Sequence, residues 1–395
     1  MTTTTTTSTT TTTQPVVVAG GAPGDFLTAR HLRLTGPNRR IGRDLAAAAR
    51  QVHGVVAGPH PAPGKTVQRA RRAWFAANHP VLAQRMLGVA DAFGVDPDDD
   101  AWDLAWLGSH DLPAGCSTVF YPGGGTKDGH GLLARNFDFP TLTWSEIHGR
   151  TGYPGERPLA SDPWIVEAVP DQGYSSITIG IMDVMGAMDG INSAGLAVSL
   201  LADNESPHQE PSVVAQVGLS EQQVVRYLLD TCATVDEAKQ ALLLAKQYYF
   251  FVPCHFLVAD RTGRSFVWEY SPGHNVEHIV EPAPGERMVC TNHLLHRWPD
   301  PTGLPDDPMI DGTAALTYHR YRTLDAAVGS PALVDRDRIR EQFAAVRFTA
   351  PVPMARTFWH AIYDLDEPSL EVSFYLRDED GVSRYSEPTR FALDR

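Results

Sequence analysis

The stretch that decides the fold is AGCSTVFYPGGGTKDGHGLLARNFDF, residues 114–139. Two runs of strand-forming residues, Ser117–Pro122 and Gly131–Phe139, flank a glycine-rich turn, which reads as a β-hairpin. Cys116 opens the first strand and is preceded by a small, sterically open glycine. Arg135 and Asp138 lie on the second strand, so the hairpin can bring them beside Cys116. A cysteine is by default a small buried hydrophobe. Its position here points elsewhere, because the chain changes character at Leu112–Gly115.

Before this point the chain reads as helices. IGRDLAAAARQVHG (41–54) has apolar residues at helical spacing. TVQRARRAWFAANHPVLAQRMLGVADAFGV (66–95) predicts two helices or one kinked at Pro80. The acidic cluster Asp98–Asp100 suits a helix N-terminus. After Cys116, strands dominate: 164–170, 175–182, 195–201, a hairpin over 255–271, an inner strand at 287–293 and a last hairpin over 358–376. Two helices interrupt them, each opened by a capping pair, Ser220 with Gln223 and Thr234 with Glu237. Two more are expected near 313–328 and 334–346. Hairpins alternating with helix pairs predict an α+β fold of two stacked sheets with helices outside.

Composition bounds the partners. Lys plus Arg is 33 and Asp plus Glu 47, a net charge of −14. Nucleic acid and anionic membranes both need a positive surface, so neither is expected. The four cysteines are scattered and none forms a CxxC pair, which fits free thiols in a reducing compartment. The Thr-rich opening lacks a basic start and a long apolar run, so residues 1–25 are read as a disordered tail and the protein as cytoplasmic. His293 and His296 stand at i,i+3, but no HExxH is present, and neither metal nor cofactor is expected.

If the Gly115–Cys116 bond broke, Cys116 would carry a thiol and a free α-amine together. An α-amine has a pKa near ~8, so it can take the thiol proton and later return one to a leaving amine. Asp138 can hold that amine, and Arg135 favours the thiolate. Asn292, in Thr291-Asn292-His293, can donate to the oxyanion of a tetrahedral intermediate. Two rivals remain at this point. One is a papain-like hydrolase using His293 as base without self-cleavage. The other is a non-catalytic binding protein that tolerates loss of Cys116.

The hairpin resembles the nucleophile hairpin of cysteine N-terminal-nucleophile hydrolases. It is closest to the isopenicillin N acyltransferase family, which is related to choloylglycine hydrolases and acid ceramidase. GINSAGLAVSL (190–200), HFLVADRTGRSFVWEYSP (255–272), VCTNHLL (289–295) and TGPNRRIGRDLA (35–46) resemble further family segments in the same order. The resemblance implies a four-layer αββα fold. It implies a helical propeptide or small subunit over 26–115, cleavage between Gly115 and Cys116, and a catalytic domain over 116–395. It places Cys116 as nucleophile, Asp138 at the amine, Asn292 in the oxyanion hole, and Arg135 at the arginine of the choloylglycine branch. The second oxyanion asparagine of bile salt hydrolases falls on Ala202, leaving a backbone N–H or Asn204 for that task. The expected partner is a small acyl amide; the two cleaved fragments would stay together, and a homo-oligomer is compatible with this reading.

Overall fold

A computed structural model describes residues 14–53, 60–107, 115–147, 149–181, 183–206, 215–250, 252–271, 276–307, 316–329, 332–350 and 354–393. Strands β1 (Val16–Gly20) and β2 (Thr28–Gly36) precede helix α1 (Asn38–His53). The bridge between β3 (His60–Pro61) and β4 (Trp102–Asp103) brackets α2 (Lys65–Asn78) and α3 (Pro80–Phe93). Then follow β5 (Gly115–Tyr121), β6 (Leu132–Pro140), α4 (Trp144–Ile147), β7 (Trp164–Pro170), β8 (Ser176–Gly180), β9 (Asp189–Asn192) and β10 (Ala197–Ala202). Helices α5 (Glu221–Thr231) and α6 (Val235–Leu244) lead to β11 (Cys254–Ala259), β12 (Ser265–Ser271), β13 (Val276–Val280) and β14 (Met288–Cys290). The chain ends with α7 (Thr317–Val328), α8 (Arg336–Ala344), β15 (Ala355–Asp364), β16 (Ser369–Glu379), β17 (Val382–Tyr385) and β18 (Thr389–Ala392).

The strands form two large sheets. One runs β1-β2-β7-β8-β9-β10-β11-β12-β13; the other runs β14-β5-β6-β15-β16-β17, with β18 also on β16. The sheets face each other through β5 against β10 and β14 against β12. Helix α1 lies on β2 and β7, α5 on β9 and β10, and α6 on β11, while α7 covers β14 and β5 and α8 covers β15 and β6. Helices, sheet, sheet and helices thus make four layers in an α+β fold.

Strand alternation sorts residues between the layers. On β5, Cys116 and Phe120 join the large core between the sheets. Val119 and Tyr121 join a smaller core with Leu324, Val328, Ile339 and Phe343 of α7 and α8. Local chemistry sets the helices. Pro80 takes the first position of α3, where its missing N–H costs no bond, and so separates α2 from α3. Ser220 and Gln223 form the expected capping box, and Thr234 caps α6 by accepting from the Glu237 N–H. Helices α1 and α3 cross in backbone contact at two glycines: a Cβ on Gly42 would lie 2.0 Å from Arg85 O, and one on Gly88 1.9 Å from Arg39 O.

Four expectations need correction. Part of the supposed tail, Val16–Gly20, is a strand paired with β2; residues 1–13 lie outside the described residues. The segment 26–115 is not wholly helical, because Thr28–Gly36 alternates apolar and polar residues and buries Leu32 and Leu34. It pairs parallel with β7, beside strands that follow Cys116. The acidic cluster starts no helix: Asp96 and Asp99 fold back onto the N–H groups of Asp98 and Ala101, and Asp100 pairs with Arg69 and Arg72 of α2. The strand within 287–293 lies at an edge of its sheet, beside β5.

Candidate active site

Cys116 is the second residue of β5 and is fully buried. Its side chain points between the sheets. There the Arg135 guanidinium donates to Cys116 Sγ at 3.0 Å from β6. Arg135 is itself fixed, donating to Met188 O at 2.9 Å and Ser199 Oγ at 3.0 Å and pairing with Asp189 at 2.8 Å. Tyr363 donates to that same Asp189 carboxylate. Burial pushes the Cys116 thiol above its ordinary range, and Arg135 pulls the other way. The closed site therefore holds a thiol beside a cation ready to receive its anion.

The backbone of Cys116 has different partners. Register pairs Cys290 of β14 with Thr118, so the residues after β14 continue alongside Cys116. Asn292 Oδ1 accepts from the Cys116 N–H at 2.8 Å, which is the nitrogen of the Gly115–Cys116 bond. Arg320 Nη2 donates to the same oxygen at 2.6 Å, and Asn292 Nδ2 donates to Ala202 O at 2.8 Å. Two donors meet Oδ1 and a carbonyl meets Nδ2, which fixes the orientation of the amide. The Asn292 main chain is held too, its N–H by Thr317 Oγ1 and its carbonyl by the Asn204 N–H, both at 2.8 Å.

Arg320 is the residue that sequence reading missed. From α7 it donates to Cys116 O, to Ser117 Oγ at 2.7 Å and to Asn292, and it lies 3.5 Å from Asp138 Oδ2. No motif announces it; it is one of two arginines on a helix far along the chain. Asp138 stands across from Gly115 in the β5–β6 register, but on the helix-facing side. It meets Cys116 through Arg320 rather than directly, and Thr357 Oγ1 donates to its Oδ1 at 2.5 Å. Burial, outweighing Arg320 and Thr357, raises its carboxyl to about 6.

The other candidates sit nearby in different roles. Asn204 touches Asn292 through its backbone while its side chain is exposed. His293 Nδ1 faces Thr291 Oγ1 at 3.2 Å and Thr317 Oγ1 at 3.3 Å, with no bond to Cys116 among the described residues. Burial lowers it to about 4. Trp164 and Trp268 are packed in the core. Among the described residues no group of three or more His, Cys, Asp or Glu could hold a metal ion, and no helix is long and apolar enough to cross a membrane.

Residues 125–304 match the family model of acyl-coenzyme A:6-aminopenicillanic acid acyl-transferase, a span containing Arg135, Asp138, Asn204, Asn292 and His293. A penicillin V acylase of Pectobacterium atrosepticum is 33% identical over 120 residues, 27% of this chain and 32% of that protein. The chain thus spans about a third of that relative's length. Among solved structures, penicillin V acylase from Agrobacterium tumefaciens gives a TM-score of 0.41 at 18% identity, over 66% of this chain and 82% of that one. A variant of conjugated bile acid hydrolase from Clostridium perfringens gives 0.44 at 14%, over 71% and 97%. The N-acylethanolamine-hydrolyzing acid amidase ortholog of Caenorhabditis elegans gives 0.37 at 17%, over 63% and 92%. Over residues 125–304 the chain is thus similar to the acyl-coenzyme A:6-aminopenicillanic acid acyl-transferases, as the motif around Asn292 led one to expect.

Proposed function

We propose that this chain is the precursor of a cysteine amidohydrolase that breaks its own Gly115–Cys116 bond and then cleaves linear acyl amides through a thioester on Cys116. The observation that carries this reading is one residue held at two points: Cys116 Sγ by Arg135, and Cys116 N–H by Asn292. In the first stage the sulfur attacks the Gly115 carbonyl carbon. The C–N bond breaks, the thiol proton passes to nitrogen, and Gly115 is left as a thioester on Sγ. Water then releases the Gly115 carboxyl and restores the thiol. Asp138 Oδ2, which takes no hydrogen bond among the described residues, is the acceptor for the new ammonium.

In the second stage the Cys116 amine, with a pKa near ~8, takes the thiol proton. The thiolate attacks a substrate carbonyl, the leaving amine receives the proton, and water resolves the thioester. Asn292 Nδ2 and nearby backbone N–H groups serve the oxyanion. An amine in place of water would make the reaction an acyl transfer; hydrolysis is preferred because it requires no second binding site. The family and its penicillin V acylase relative both carry names that describe acyl–amine bonds, which supports small acyl amides as substrates.

The fragment before Cys116 stays bound in this reading. Its β2 is built into the nine-stranded sheet, and Arg85 of α3 clasps Asp230 of α5 at 2.9 and 3.0 Å in a buried pair. Losing that partner would strand a buried carboxylate. The test is to incubate the protein with penicillin V, acylated amino acids and acyl lactones, quench in acid and weigh the Cys116 peptide. An acyl adduct, absent from Cys116→Ala, is expected. Turnover without any adduct on Cys116 would defeat the proposal.

A further inference from the structure

Asn292 hangs on a turn, Thr291–His296, and that turn is fastened from behind. Glu269 of β12 is buried and takes two successive backbone N–H groups: Leu295 on Oε1 at 2.6 Å and His296 on Oε2 at 3.1 Å. The His296 ring donates from Nδ1 to Oε2 at 2.5 Å. Directly across the β11–β12 register stands His255, also buried. Its Nδ1 faces Glu269 Oε1 at 3.4 Å, and its Nε2 donates to Thr291 O at 2.7 Å. A carboxylate and a carbonyl both only accept, so both ring nitrogens carry hydrogen and His255 is an imidazolium. The groups facing the pair are Cys290 of β14, with Sγ 3.9 Å from His255 Nε2, and His296, on which His278 of β13 stacks at 3.7 Å. Although burial opposes it, Cys290 and Glu269 hold His255 well above the ordinary histidine range.

We propose that the buried Glu269–His255 ion pair is a positioning device for Asn292: it anchors the Thr291–His296 turn so that the Asn292 side chain meets the nitrogen of the Gly115–Cys116 bond. The proposal rests on the self-cleavage reading for its functional consequence, not for the charge state. A neutral residue in place of Glu269 would leave the buried His255 imidazolium without its counter-charge and the Leu295 and His296 N–H groups without their carboxylate. The turn would then move by fractions of an ångström, enough to misplace the Asn292 Oδ1 acceptor from the Cys116 N–H.

The experiment uses the full chain, freshly made as precursor. Self-cleavage is followed by denaturing gel from pH 5 to 9, and the His255 ring by nitrogen-15 NMR. The wild-type ring is expected to be doubly protonated from pH 6 to 8. Glu269→Gln is expected to slow cleavage by about ten- to a hundred-fold, the usual range for residues that orient a reacting ligand from outside. It should also bring a new inflection into the pH–rate profile as His255 loses its proton. His296→Gln, half-buried and better tolerated, should slow cleavage by a few-fold and keep the profile. Glu269→Gln cleaving at the wild-type rate, or a neutral His255 in the wild type, overturns the inference. A wild-type chain that never cleaves sinks the proposed function instead, and the charge state of His255 then decides this proposal alone.

Discussion

The two faces of the β5–β6 hairpin differ sharply in what they do around Cys116. The inner face, between the sheets, holds Sγ, Arg135, Ser199 and Asp189, and its partners act on the thiol. The outer face, under α7 and α8, holds Ser117, Asn136 and Asp138. Arg320 ties this face to the Cys116 backbone. Alternation along a strand thus separates two tasks by one strand's thickness. In the proposed reading, one face tunes the nucleophile, and the other grips the bond to be broken and offers a carboxylate to the amine released.

Breaking the outer face should have the largest effect. Arg320→Met leaves the buried Asp138 without its counter-charge and takes one of the two donors from Asn292 Oδ1. A loss of about 3–5 kcal/mol is expected for one partner of a buried pair, seen as a lower denaturant midpoint, with self-cleavage abolished on a gel. Asn292→Ala should slow cleavage by about a hundred- to a thousand-fold, the range for a lost oxyanion donor. Asn204→Ala should change it by less than about three-fold, because Asn204 contributes backbone rather than side chain. Equal effects of the two substitutions would erase the assigned difference.

Breaking the inner face acts through the thiol. Arg135→Leu removes the cation beside Sγ and raises the thiol pKa further. The pH at which iodoacetamide alkylates Cys116 should move upward, with alkylation slower at pH 7. An unchanged profile would mean that Arg135 does not tune the thiol.

The smallest expected effect is on stability. Asp138 titrates near 6 in the fold against 3.8 unfolded. A carboxyl raised by folding stabilises fully below its unfolded pKa, and that contribution is lost as pH rises through about 4 to 6. Two pKa units correspond to about 3 kcal/mol before any compensation. Asp138→Asn should flatten this decline in denaturant melts between pH 4 and 7. The same slope in both proteins would place the titration elsewhere.

Much of this was legible in order along the chain. The hairpin announced itself through two strand runs and a glycine turn, and the pairing of its strands brought Arg135 beside Cys116. Asn292 was legible from Thr291-Asn292-His293, although not its hold on the Cys116 N–H. Arg320 was not legible, since a helical arginine some two hundred residues from Cys116 becomes a partner only when α7 packs on β5. β1 was hidden by the low-complexity run before it, and β2 by the helices after it. β2 is set by its parallel pairing with the distant β7, which local pattern does not encode, and β1 follows by pairing with β2.

The central claim is that Cys116 is made an N-terminal residue by the chain itself. Intact mass and N-terminal sequencing of freshly purified wild type and Cys116→Ala test it directly. The account predicts a wild-type fragment beginning Cys-Ser-Thr-Val and an uncleaved Cys116→Ala chain. A wild-type chain that stays whole yet hydrolyses amides, or a Cys116→Ala chain that cleaves at the same bond, would contradict it.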